Sequence, residues 1–175
     1  MNTLIAALVL APAVMAPAQM PDSMAANPIA SSARMFLEEQ AGAIGQAATL
    51  MPAEKYAYHP TPAQMTFGAL MQHIAQTNVR LCSAIGGGAA PPPASPVHAT
   101  KAALVTAVAD SFKMCNAALA KLTDSQLSEV VEIAGNKVPR GYLVMTIVAD
   151  WADHYSTAAS YLRLNNIVPP TARQP

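Results

Sequence analysis

From residue 86 to residue 98 the chain reads GGGAAPPPASPVH, a connection too rich in glycine and proline for any regular element to pass through it. On both sides of it apolar residues recur at helical spacing. Before it, Leu70, Ile74 and Leu81 predict a helix from about Gln64 to Ile85 with one buried face. After it, Leu104, Val108, Phe112 and Leu119 predict another from about Ala99 to Leu122. Other prolines mark the remaining boundaries. A first helix over Ile29 to Leu50, with Met35, Leu37, Ile44 and Ala48 as its apolar face, stops before Met51-Pro52, because a residue that precedes proline avoids the helical region. The stretch AEKYAYHPTPAQ is a loop. Asp124 is placed to cap a short helical turn at SQLSEVVEI, followed by the polar turn GNKVPR. A fourth helix starts near Pro139, an acceptable first-turn residue, runs to about Asn165, and is ended by Val168-Pro169-Pro170. No alternating strand pattern of useful length and no internal repeat is visible. The reading is an all-α four-helix bundle.

Composition agrees with that class. Alanine and methionine are abundant and aromatics few, with Trp151 the only tryptophan. Alanine and methionine cost little in a helix and fill irregular gaps between helices. At 175 residues the chain is one domain with room for a proper core. Ten basic residues balance ten acidic ones and are scattered, so neither a nucleic-acid surface nor a polybasic membrane anchor is expected. The amino terminus, MNTLIAALVLAPAVMAPAQMP, has an apolar run ending in the small-x-small pattern Ala16-Pro17-Ala18, although no lysine or arginine precedes it. Pro12 and Pro17 break the run, which is short for a membrane span. Residues 1–18 are therefore read as a signal peptide, 19–28 as a linker, 29–170 as the bundle and 171–175 as a tail. The expected location is the periplasm after cleavage.

A bundle interior is where metal and cofactor sites are built from facing helices. His73 lies in ALMQHIAQT, in the middle of the second helix. Asp150 and His154 are four apart in the fourth, one above the other on the same face. Two imidazoles and one carboxylate can hold a divalent metal and leave coordination positions open. In antiparallel helices, His73 and His154 would differ in level by only about 3 Å. The spacing alone is more often that of ordinary core or surface residues than of ligands. His59 and His98 sit in proline-rich loops and are read as solvated surface.

Three segments resemble the DinB-like family of four-helix bundles. MPAEKYAYHPTPAQMTFGALMQHIAQ is similar to that family's loop and second helix, and LTDSQLSEVVEIAGNKVPRGYL to its approach to the last helix. HYSTAASYLRLNNIVPP is similar to the family pattern of His-Tyr-Gly, then Tyr-Leu-Arg, then Val-Pro-Pro. The resemblance runs from about Ile29 to Pro170 and implies a three-histidine divalent metal site. His73 matches the first ligand and His154 the last. Asp150 stands where the family pattern has histidine, and Ser156 where it has glycine. Carboxylate is a legitimate ligand for zinc, iron or manganese, but its reach is shorter than that of imidazole.

The resemblance also implies an up-down-down-up order with a long crossover between the second and third helices. If those helices were an antiparallel hairpin, Cys82 and Cys115 would stand roughly 20 Å apart along the bundle. If they are parallel, as the family topology implies, the two levels agree within about 3 Å, and the crossover, reaching some 43 Å when extended, can return along the bundle. The pair is then a disulfide candidate; otherwise both are buried free thiols. On the enzyme reading the family resemblance implies a metal-dependent hydrolase or transferase acting on a small molecule of unidentified class. The cofactor would be zinc, nickel, manganese or iron, with Asp153 as a general-base candidate pointing about 100° away from His154 and Tyr155 lining the entrance. The competing class is a non-enzymatic helical binding module with a metal-free site. No stable membrane anchor is expected, and a homodimer is left open.

Overall fold

A computed structural model of the chain describes residues 26–88 and 99–173. The expected signal peptide, most of the linker, His98 and the last two tail residues lie outside the described residues, as do residues 89–98 of the crossover. Four long helices are present among the described residues: α1 Pro28–Leu50, α2 Phe67–Ile85, α3 Lys101–Ala120 and α4 Arg140–Leu164. Their starts follow from local chemistry. Pro28 opens α1, and the hydroxyls of Thr66 and Thr100 accept from Ala69 N (3.1 Å) and Ala103 N (3.3 Å) at the heads of α2 and α3. Thr66 therefore sets the start of α2, three residues after the expected one.

The helix order in space is read from cross-helix pairs. Asn78 bonds Ser111 and Cys82 is joined to Cys115, so α2 and α3 run parallel. Arg34 reaches the carbonyls of Leu119 and Leu122, while Lys101 reaches those of Thr49 and Met51, so α1 is antiparallel to α3. Tyr161 donates to Met65 O and Arg140 to Ile85 O, so α4 is antiparallel to α2. The result is the up-down-down-up bundle, with α2 and α3 side by side and α4 on the other flank of α2. The same bonds serve a second purpose. The C-terminal carbonyls of α1, α2 and α3 are each met by a cation from elsewhere in the chain, which satisfies acceptors the helix cannot and complements its dipole.

Phe67, Ile74, Leu119, Ile147, Trp151 and Leu162 are fully buried at the centre of the core. Every expected stripe residue of α2 and α3 is buried. On α1, Leu37, Ile44 and Ala48 are buried, but Met35 is 57% exposed, on the outer side of the helix.

Two further features differ from the sequence reading. Val130–Ile133 and Asn136–Pro139 form an antiparallel hairpin, β1 and β2, with Val131 opposite Val138. The expected helical turn shrinks to Asp124–Gln126. Three β-branched residues in Val130–Ile133 suit a strand. The turn works because Ala134 (φ 48°) and Gly135 (φ 78°) both adopt the left-handed conformation that tight two-residue hairpins need. The second difference is Asp124. Its carboxylate accepts from Ile29 N (3.0 Å) and Ala30 N (2.8 Å), so it caps α1 rather than its own turn. Asn27 Oδ1 accepts in return from Asp124 N at 2.9 Å.

Candidate metal centre

The seam between α2 and α4 carries the polar cluster. His73 projects from α2; Asp150 and His154, one turn apart, project from α4 and meet it. One ligand atom from each of the three lies within 4.8 Å of the other two. The imidazole centroids of His73 and His154 are 4.9 Å apart, with planes inclined by 24°. His154 Nε2 stands 3.9 Å from Asp150 Oδ1, too far for a hydrogen bond. The two side chains on α4 are 14% and 20% exposed, so the cluster is largely withdrawn from water.

A buried network fixes this register. The Trp151 indole, fully buried one residue after Asp150, donates through Nε1 to Asn78 Oδ1 at 2.7 Å. Asn78 Nδ2 donates to Ser111 Oγ at 3.0 Å, and Ser111 Oγ to Val108 O at 2.8 Å. Three helices are thus clamped at one level by polar groups that have no water to fall back on, a costly arrangement to leave half-made. The sequence reading passed over Asn78 and Ser111. A signal existed in the polar residues set on the apolar stripes, although their partners on other helices cannot be read from spacing.

Protonation also suits ligation. Burial pushes the His73 pKa below its ordinary value, the neighbouring His154 and the more distant Arg80 add to the effect, and Asp150 opposes it. His73 is therefore held neutral, the form that binds metal. Thr77, buried one turn on, sets its hydroxyl 3.5 Å from His73 Nε2.

The donor set fits a divalent ion. Asp150 Oδ2 and both ring nitrogens of His154 are buried and have no hydrogen-bond partner among the described residues. Buried polar atoms without partners are rare, and those of a triad facing one point are met together by a cation. The group can hold a metal ion through one imidazole nitrogen from each histidine and the Asp150 carboxylate, with positions left open.

The other expected residues fall differently. Asp153 does not point wholly away: its exposed carboxylate comes within 3.4 Å of His154 Nδ1, without hydrogen-bond alignment. The Tyr155 hydroxyl is 2.9 Å from Thr171 Oγ1 and accepts from Thr171 N at 3.0 Å, tying the last described residues to α4. His59 is exposed and donates from Nδ1 to Thr61 O at 2.7 Å. Cys82 and Cys115 are joined, with Cα atoms 5.0 Å apart. Cys82 is nine residues from His73, half a turn out of phase, so the bridge lies on the α3 side of α2 and outside the triad.

The sequence profile of the DinB superfamily matches residues 37–158, well over half of the chain and all of the triad. The chain belongs to the DinB superfamily. Solved structures share the fold. A DinB-like protein from Bacillus subtilis is similar at TM-score 0.68 and 19% identity, covering 85% of this chain and 100% of that one. A DinB-like protein from Bacillus cereus gives 0.61 and 17%, covering 77% and 93%. A conserved protein from Enterococcus faecalis gives 0.63 and 18%, covering 78% and 96%. No curated protein matches the chain. In this DinB-superfamily bundle the middle position of the triad is a carboxylate.

Proposed function

We propose that this bundle binds a divalent metal ion at His73, Asp150 and His154, and that the loaded centre is that of a metal-dependent hydrolase or transferase. The observation that carries the reading is the triad itself: three half-buried donor groups on two helices, converging within 4.8 Å, with unpartnered atoms among them. Zinc, nickel, manganese and iron all accept two imidazoles and a carboxylate. Such an ion, when bound, lowers the pKa of a water or thiol that occupies an open position and polarises a substrate oxygen. The chain's own residues have distinct roles. His73 enters neutral, and Trp151 and Asn78 hold α4 in register.

The protein is further proposed to be exported. The apolar leader ending in Ala16-Pro17-Ala18 supports this, and the Cys82–Cys115 bridge is of a kind that oxidising compartments maintain. A mature protein whose mass begins after Ala18 is the expected finding in the periplasmic fraction.

The centre is tested by elemental analysis of protein purified without a histidine tag, beside His73→Ala and His154→Ala. Near-stoichiometric metal in the wild type, lost in either variant, is expected. A wild type that takes up none of the four metals would leave a non-enzymatic helical binding module as the better account.

A further inference from the structure

Arg80 stands seven residues along α2 from His73. Seven residues are close to two full turns, so the two side chains share a face and are offset by about 10 Å along the axis. Arg80 is exposed and makes no hydrogen bond or ion pair with any described residue. Arg34, Arg140 and Lys101, by contrast, are each committed to carbonyls at helix ends. No structural duty accounts for a guanidinium on this face.

The seam is also polarised. Because α2 and α4 are antiparallel, Arg80 lies beyond the triad toward the end of α2, on the Asp150 side, whereas Asp153, between the two α4 members in sequence, is level with the triad. Along the seam, a guanidinium therefore stands beyond the triad toward the end of α2. A divalent ion held by two neutral imidazoles and the single Asp150 carboxylate keeps a net positive charge on its ligand set, and Arg80 extends that field toward the end of α2. A small molecule ligating the metal at one end would find at the other a planar, forked donor suited to an oxyanion.

We propose that Arg80 is the docking cation for an oxyanion, carboxylate or phosphate, on the substrate of the His73–Asp150–His154 centre, so that the substrate is a small molecule whose anionic end lies toward the C-terminus of α2. The proposal rests on the metal-centre reading above.

The test uses full-length protein loaded with cobalt, whose sulfur-to-metal charge-transfer absorption reports a thiol on the ion. Three probes share the same thiol and spacer: 6-mercaptohexanoate, 6-mercaptohexyl phosphate, and the uncharged methyl ester of the first. The wild type is expected to bind at least one anionic probe about tenfold more tightly than the ester, the worth of one charge-assisted contact. The tighter of the two anions identifies the oxyanion. Arg80→Gln should abolish the preference with cobalt affinity unchanged, and Arg80→Lys should keep part of it. Equal binding of all three probes by the wild type, or a full preference surviving in Arg80→Gln, overturns the role of Arg80 while leaving the metal centre standing. A wild type that takes up no cobalt overturns both.

Discussion

Replacing Asp150 is the most discriminating single change at the centre. Asp150→His should keep or tighten divalent metal binding, since imidazole is at least as good a donor and has the longer reach. Asp150→Ala should weaken binding on the order of tenfold or more by removing one of three ligands. Equal metal affinities for the three proteins, measured by competition with a chromogenic chelator, would take Asp150 out of the centre. A second residue carries a pH signature. Burial pushes the Tyr56 phenol from 10.0 up to about 12, and its hydroxyl donates to Ala48 O at 2.5 Å. Below pH 10.0 both folded and unfolded chains keep that proton; between there and about 12 only the unfolded chain gives it up, so stability falls as pH rises through that window. Tyr56→Phe should flatten this part of the alkaline denaturation profile and cost about 1 kcal/mol at neutral pH. At this scale the cluster was legible: helical spacing set Asp150 and His154 on one face, and the family resemblance joined His73 to them. Trp151 with Asn78 was not, since a hydrogen bond between residues 73 positions apart leaves no local trace.

Helix stripes were equally legible, and the helix boundaries followed from proline and threonine within a few residues. The hairpin Val130–Ile133 and Asn136–Pro139 was missed because four-residue strands are too short for alternation to stand out, and because the turn relies on an alanine at positive φ. The capping role of Asp124 was misassigned for a related reason. Its recipient amides are 94 and 95 residues away, so the sequence offers only the nearer turn. Asp124→Ala should therefore destabilise α1, not the turn, by about 1–2 kcal/mol. A melting temperature lower by about 2–8 °C, with the earliest loss of amide protection in the first turn of α1, is the expected result. Early loss confined to residues 124–126 would return the cap to its own turn.

Two layers of the whole molecule had different legibility. The bundle class follows from periodicity, whereas the parallel pairing of α2 and α3 came only through family resemblance, because a connector this long permits either sense. The disulfide follows from that pairing: parallel helices bring Cys82 and Cys115 to one level, where a hairpin would separate them. Cys82→Ser with Cys115→Ser should lower stability by roughly 3–4 kcal/mol, since the bridge closes a loop of 33 residues that the unfolded chain would otherwise explore freely. Denaturant unfolding of oxidised and double-variant protein measures this directly. The bridge also alters what the backbone is as a covalent object. Between the two cysteines the chain is a ring, with one arm carrying α1 and most of α2, and the other carrying the end of α3, the hairpin and α4. A protease that cuts once within the crossover opens the ring without releasing either arm, adding the mass of one water and nothing else. Histidine 73 and its partners on α4 would then stay joined through sulfur although no peptide bond connects them, until a reductant parts the two pieces.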